Sequence, residues 1–254
     1  MTRQAPRTSI IMPAYNAAQY IRDAIRSVQL QSDRDWELVV VDDMSSDSTL
    51  EIARNAALSD SRIRVFQNTK QSGPGPTRNR AIDEGRGRYL AFLDADDQWL
   101  PEKLSKQLEL MRDRSVVLSF APYEVVRNDG ARSGQIVDAK APLQIGYNQL
   151  LRKEATVGCL TVVIDRQLAG KVRMPDIKRG QDYACWLEIL KRGGTAARCA
   201  DVLGLYRLTP GSISRNKFRK AWYQWRIYRD SEKLNVLTSI WLLAHYAFRA
   251  IVRR

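Results

Sequence analysis

Trp36-Glu37-Leu38-Val39-Val40-Val41, followed at once by Asp42-Asp43, is the stretch whose reading decides the fold. Its apolar run is short and unbroken rather than alternating, the pattern of a strand buried on both faces of a parallel sheet. Upstream, residues 8–12 form a second β-rich run. Between the two, residues 17–31 carry Tyr20, Ile21, Ala24, Ile25 and Val28 at helical spacing. Downstream the alternation continues, with a helix over 48–58, a strand over 62–67, a helix over 76–85 and a strand over 88–93. Pro101 then takes the favoured first position of a further helix, with Glu102 in its first turn. Such alternation predicts an α/β fold, a mostly parallel central sheet flanked by helices.

The second half is less regular. Residues 115–126 read as one strand, Asn128-Asp129-Gly130 as a turn, 161–164 as a short strand and 182–191 as a helix. Residues 196–199 and 202–207 look extended. No internal repeat or low-complexity linker separates the halves, so both are expected to share one sheet. The expected organisation is a catalytic domain over 1–216, with 1–100 and 101–216 as its halves, and a C-terminal helical tail over 217–254.

At 254 residues, 44% hydrophobic and 27% charged, the chain has an ordinary globular composition with enough apolar residues for a sizeable core. No secretory signal is legible at its start, and its three cysteines lack metal-ligand spacing, so reduced thiols in the cytoplasm are expected. The net charge of +13 is unevenly placed. From Tyr206 to Arg254 there are 11 Lys and Arg against 2 acidic residues, +9, which leaves +4 for the first 205. A basic tail on a nearly balanced domain points to an anionic partner, lipid or nucleic acid.

Open α/β sheets bind ligands beyond the carboxyl ends of their strands. There the sequence places Pro13-Ala14-Tyr15-Asn16, then Asp42-Asp43, then Arg78 after Gly73-Pro74-Gly75-Pro76, then Asp94-Ala95-Asp96-Asp97. Five carboxylates at one sheet edge repel each other unless a cation or a set of donors answers them. Hard oxygen ligands select Mg²⁺ or Mn²⁺, and such an ion completes its shell with substrate phosphates. Each element also has a plainer reading. Asp42 or Asp47 would cap a helix, the Gly-Pro repeat would be a turn, and Tyr15 would be a packed aromatic. Neither G-x-G-x-x-G after the first strand nor a P-loop is present.

The single histidine, His245, lies in an apolar stretch near the C-terminus, so no Ser-His or Cys-His nucleophile is available. A general base must then be a carboxylate, a lysine or a tyrosine. Asp182, in Arg179-Gly180-Gln181-Asp182-Tyr183, is the candidate, with a plain N-cap as the alternative.

Taken in order, Pro13-Ala14-Tyr15-Asn16, Val41-Asp42-Asp43, Arg78-Asn79, Phe92-Leu93-Asp94-Ala95-Asp96-Asp97 and Gln181-Asp182 resemble the family 2 glycosyltransferases of GT-A fold, over about residues 8–217. The resemblance implies that Pro13, Tyr15 and Asp43 hold the donor's base and ribose, Tyr15 by stacking and Asp43 by accepting from the base edge. Arg78 would sit near the nucleotide. Asp94 and Asp96 match the D-x-D signature, Asp96 on the metal and Asp94 on the ribose or donor sugar, with both near the ion. Asp182 falls at the position of the base, although the usual preceding Glu is Gln181 here. Tyr206-Arg207 with Ser212, Ser214 and Lys217 resembles a segment that closes over the donor diphosphate. The implied reaction is inverting transfer from a nucleotide sugar, by default a uridine diphosphate (UDP) sugar, to a glycan or lipid-linked acceptor of a bacterial envelope polysaccharide.

In the tail, Trp222, Tyr223 and Trp225 interleave with cations, and residues 234–248 run without a charge. As a helix that run spans ~22 Å, short of a ~30 Å hydrocarbon core. An interfacial helix on an anionic membrane is one reading, which makes the protein peripheral on the inner face of the cell membrane. Packing on the catalytic domain or forming a homodimer is the other. Two further functions fit parts of the sequence. A sugar-phosphate nucleotidyltransferase shares the architecture but needs a Gly-rich basic loop where Pro13-Ala14-Tyr15-Asn16 stands. A nucleic-acid-binding module fits the basic tail but leaves the acidic cluster unexplained.

Overall fold

The computed structural model describes residues 5–209 and 217–252. Four parallel strands, β1 (Thr8–Ala14), β2 (Trp36–Asp42), β3 (Ile63–Gln67) and β4 (Tyr89–Phe92), lie in the order β3-β2-β1-β4. Helices α1 (Ile21–Gln29), α2 (Thr49–Ser59) and α3 (Pro74–Glu84) make the crossovers. All seven residues of β2 are buried. Leu38 and Val40 join one apolar cluster with Ile10 and Met12 of β1, while Val39 and Val41 join another with Ile11. The unbroken apolar run therefore feeds two cores at once, which is why it does not alternate.

The sheet continues beyond β4 through β10 (Val163–Asp165), β6 (Leu118–Phe120), β11 (Ala196–Arg198) and β9 (Gln144–Ile145) to eight strands, of which β10 and β9 run antiparallel to the rest. A second, four-stranded sheet has the order β5 (Gln98–Trp99), β12 (Gly204–Arg207), β7 (Tyr123–Val126), β8 (Arg132–Val137). The strand expected over 115–126 is thus two strands, β6 in the large sheet and β7 in the small one. The break falls at Ala121-Pro122, where a proline cannot donate to a ladder.

Other boundaries also move. Helix α3 begins at Pro74, so Gly73 to Pro76 is not a loop before the helix but its cap and first turn. Gly73 sits at φ +83 as N-cap, and both prolines occupy positions whose N–H has no intrahelical partner. Helix α4 (Lys103–Arg114) starts two residues after Pro101, which lies in the preceding turn. The remaining helices are α5 (Tyr147–Leu151), α6 (Arg166–Ala169), α7 (Gln181–Lys191), α8 (Lys217–Arg226) and α9 (Val236–Val252), with a π-turn over Ile227–Ser231 between the last two.

Lys103 is fully buried at the start of α4. Its Nζ donates to Gln107 Oε1 at 2.6 Å and lies 4.4 Å from the centroid of the Trp99 ring. Burial pushes its pKa down to about 7, so the unfolded chain, near ~10.4, binds the extra proton between those values. Stability therefore rises with pH through that window. Lys103→Met is expected to flatten the slope and to raise Tm at neutral pH by a few degrees, ~2–4 °C for each kcal/mol gained. Thermal melts at neutral and alkaline pH check this, and a variant with the wild-type slope refutes it.

Candidate active site

Chain connections leave β1 towards β2 on one side, whereas β4 lies on the other, so the switch point of the sheet, beyond whose strand ends open α/β sheets bind ligands, falls between β1 and β4. β4 pairs only with residues 8 to 11 of β1, so Pro13 needs no ladder partner on that side. Tyr15 follows at the rim with half of its surface exposed. Asn16, at φ +46, anchors the turn. Its N–H donates to Ser45 Oγ at 3.0 Å, and its Oδ1 accepts from the Ser46 N–H at 2.8 Å.

The five strand-end carboxylates are not alike in their partners. Asp43 is buried; its Oδ1 accepts from Asn68 Nδ2 at 2.7 Å and the Ser72 N–H at 2.8 Å, and its Oδ2 from the Gly73 N–H at 2.7 Å. Asp42 Oδ2 accepts from the Ser45 N–H, and Asp97 Oδ1 from the Arg207 N–H at 2.9 Å. Asp47, whose structural role is open in sequence, accepts from the Ala18 and Thr49 N–H groups. Of the two answers to the repulsion among the five that the sequence leaves open, a cation or a set of donors, backbone and amide donors thus meet Asp42, Asp43 and Asp97. Asp94 meets a cationic side chain instead.

Arg78 of α3 binds Asp94, Nη2 to Oδ1, at 2.5 Å. Burial opposes the arginine's charge, but Asp94, with a smaller pull from Asp182, outweighs it and raises its pKa. Its Nε is buried without a hydrogen-bond partner among the described residues. Burial, then the charge of Asp94, raises the Asp96 pKa to about 6 against weaker pulls from Arg207 and Arg78. Asp97 is raised further, by burial first and then by its acidic neighbours.

Arg207, in β12, is buried too. Its Nε donates to the Asp96 carbonyl at 3.1 Å, its Nη1 to the Asn128 carbonyl at 3.0 Å, and its guanidinium lies 5.2 Å from the Tyr20 ring centroid. The Tyr20 hydroxyl in turn donates to Asn128 Oδ1 at 2.6 Å. Arg207 thus braces the acidic loop against the β7–β8 turn. The sequence marks Asn128 as part of a turn and Tyr20 as part of an apolar helix face, with no sign that either belongs to this brace. Ser212 and Ser214 lie outside the described residues, as does the side chain of Lys217.

Asp182 stands in the first turn of α7, and the N-cap is Gly180, at φ +74, so the plain capping alternative for Asp182 falls. Gln181 is buried against Gly75, where an added Cβ would meet its Cγ at 3.2 Å. Two further contacts fix α7 against the strand ends. Phe92 at the end of β4 meets Trp186 of α7 edge-on at 5.2 Å. The Asn79 amide of α3 exchanges two hydrogen bonds, 2.8 and 2.9 Å, with the backbone of Met174 in the loop leading to α7. Asp94 and Asp182 consequently both lie within reach of the Arg78 charge, with the buried Cys159 thiol beside them. No three His, Cys, Asp or Glu side chains among the described residues are arranged to hold a metal by themselves.

A mostly parallel α/β sheet with acidic residues beyond its switch point is the GT-A architecture, and solved structures of that kind superpose on the chain. A TM-score of 0.72 relates it to S. aureus TarS 1-349 in complex with UDP-GlcNAc, at 19% identity over 95% of this chain and 71% of that one. The mannosyltransferase PcManGT from Pyrobaculum calidifontis, in complex with GDP-Man and Mn²⁺, gives 0.71 at 19% identity over 96% and 73%. The model of glycosyl transferase family 2 matches residues 9–172. TuaG of Bacillus subtilis, named for teichuronic acid biosynthesis, is 41% identical over the full length of both chains. The Escherichia coli protein WfgD, a UDP-Glc:alpha-D-GlcNAc-diphosphoundecaprenol beta-1,3-glucosyltransferase by name, is 40% identical over 94% of this chain and 91% of its own. The chain belongs to glycosyl transferase family 2, and it is a glycosyltransferase.

Proposed function

We propose that the enzyme transfers a sugar, with inversion, from a UDP-sugar to a hydroxyl of a lipid-linked glycan in the synthesis of a bacterial envelope polysaccharide. The observation that carries this reading is the placement of Asp94 and Asp182 about one buried arginine, with Asp96 beside Asp94. The catalytic unit would be residues 1–216, donor half 1–100 and acceptor half 101–216, working at the inner face of the cell membrane. WfgD, by its name, uses UDP-glucose and a diphosphoundecaprenol-linked acceptor, which supports the donor and acceptor classes.

Asp182 takes the proton from the acceptor hydroxyl, and attack on the face opposite the departing diphosphate inverts the anomeric centre. Pro13 and Tyr15 form the floor and rim for the base, and Asp43, which orders the Ser72-Gly73 backbone, accepts from the base edge. Arg78 holds Asp94 towards the ribose or sugar and keeps its Nε for a donor oxygen. Arg207 serves the donor through the loop it braces. Positioning two substrates in this way supplies much of the acceleration.

Asp94 and Asp96 fit a divalent ion, Mg²⁺ or Mn²⁺. Burial and like charge make an ionised Asp96 costly, and two carboxylates leave room for diphosphate oxygens. When bound, the ion spreads the charge of the leaving diphosphate. The stability that Asp96 contributes is fully present below the ordinary carboxylate value, where it is protonated, and is lost as pH rises through about 6. The Tm rise on adding Mn²⁺ with UDP is therefore expected to be larger at slightly alkaline pH than at pH near ~5, with calorimetric UDP binding following the same trend. Equal UDP binding with metal and with chelator defeats the metal assignment. Screening UDP-sugars for metal-dependent hydrolysis tests the donor class.

A further inference from the structure

Among its described residues, the tail packs on the domain along one side. Tyr228 is fully buried, and its hydroxyl donates to the Leu151 carbonyl at 3.0 Å. Glu232 accepts from the Tyr147 hydroxyl at 2.7 Å and from Lys191 Nζ at 3.0 Å, while Ser239 and Leu242 turn α9 inward. On the other side of α9, Leu237, Ile240, Trp241 and Ala244 recur at i, i+3, i+4 and i+7, all exposed, Leu237 by 80%. A helix that runs without a charge from Val236 to Phe248 is ordinarily covered all round.

Three covers are conceivable: a bilayer that the helix crosses, a second copy of the chain, or the surface of an anionic bilayer. No described helix is long and apolar enough to cross a membrane. A second copy would find a single strip of four exposed side chains, ~10 Å long along the helix axis, where a stable interface takes roughly 20–30 residues a side. It would also bring together two tails of like charge, each carrying a surplus of +7 from the nine cations and two acids of residues 217–254. An anionic bilayer surface meets both objections, because it takes up a narrow apolar face and attracts a segment with a surplus of positive charge. Trp241, and Trp222 of α8 with 60% of its surface exposed, suit the headgroup level.

The same tail touches the turn that carries Asp182. A Cβ added to Gly180 would lie 2.7 Å from Ile227 Cδ1, so Ile227 rests on the bare backbone of the residue that caps α7. Next to it, the Arg179 guanidinium lies 5.0 Å from the ring centroid of Tyr223. We propose that the outer face of α9 seats the enzyme on an anionic bilayer, and that Ile227 carries this seat to the Gly180 turn, holding Asp182 at a set height above the lipid. The function of that height rests on the lipid-linked acceptor proposed above; the seat itself does not.

The test uses the full chain and vesicles of phosphatidylcholine alone or mixed equally with phosphatidylglycerol. Wild type is expected to sediment with the mixed vesicles only. Leu237→Ser with Ile240→Ser is expected to lose more than roughly tenfold in partitioning, since each buried aliphatic side chain is worth ~1.5–3 kcal/mol. Retained sedimentation overturns the seat, and so does a wild-type dimer that this variant dissociates. Ile227→Val removes only the Cδ1 that meets Gly180. It is expected to sediment as wild type does but to lose the slowing of hydrogen exchange that mixed vesicles produce over residues 180–184. Identical exchange in both proteins overturns the link. Neither readout needs turnover, so a wrong donor or acceptor leaves both results standing.

Discussion

Asp182→Asn is expected to lower kcat by at least ~100-fold while UDP binding stays within a few-fold of wild type, because a positioned general base contributes ~10²–10⁴. The substitution is nearly isosteric and falls in the first turn of α7, where Gly180 rather than Asp182 is the N-cap. The helix loses only a favourable charge near its N-terminus, ~0.3–1 kcal/mol, so the fold is expected to hold. Donor binding is expected to survive because Asp94 keeps its bond to Arg78 and Asp96 keeps its place beside Asp94. Initial rates and calorimetric UDP binding, measured on the same preparation, separate the two effects. Turnover above roughly a tenth of wild type would remove Asp182 from the role of base.

Much of this site is legible before any fold is known, and what is not has a common cause. The carboxylates at 94, 96 and 182 are conspicuous because each follows a strand end or opens a helix in a periodic pattern. The unbroken run at 36–41 likewise decides the parallel sheet, since only burial on both faces removes the alternation. What escapes is pairing across long sequence separations. The Asp43 carboxylate looks available in sequence, yet the backbone of Ser72 and Gly73, some thirty residues on, donates to it. Arg207 reads as a donor ligand, whereas its guanidinium is directed at the carbonyls of Asp96 and Asn128. Splitting the expected 115–126 strand needs only more weight on Pro122, a local signal available in the sequence. For the tail, the sequence allows packing or membrane contact without choosing between them. One side of it packs, and the membrane question narrows to the exposed side.

Arg78→Met tests whether the arginine is more than packing. A methionine roughly fills the space, but Asp94 loses a partner at 2.5 Å and Asp96 loses one of the two cations that oppose its protonation. Breaking a buried pair costs ~3–5 kcal/mol, and a lower figure applies here because the Asp94 side chain is one-third exposed. A purely structural arginine would lower Tm and leave the pH profile alone. If instead it restrains the acidic pair, Asp96 is expected to titrate above its present value of about 6, because one of the charges opposing its protonation is gone. Metal-dependent UDP binding would then rise with pH later than in wild type, and turnover would fall by ~100-fold through both binding and positioning. Arg78→Lys is expected to recover the pH profile but little of the rate, since an ammonium keeps the charge without the planar fork. A pH profile unchanged in Arg78→Met would mean that the guanidinium does not govern Asp96, and that another group opposes the repulsion between Asp94 and Asp96.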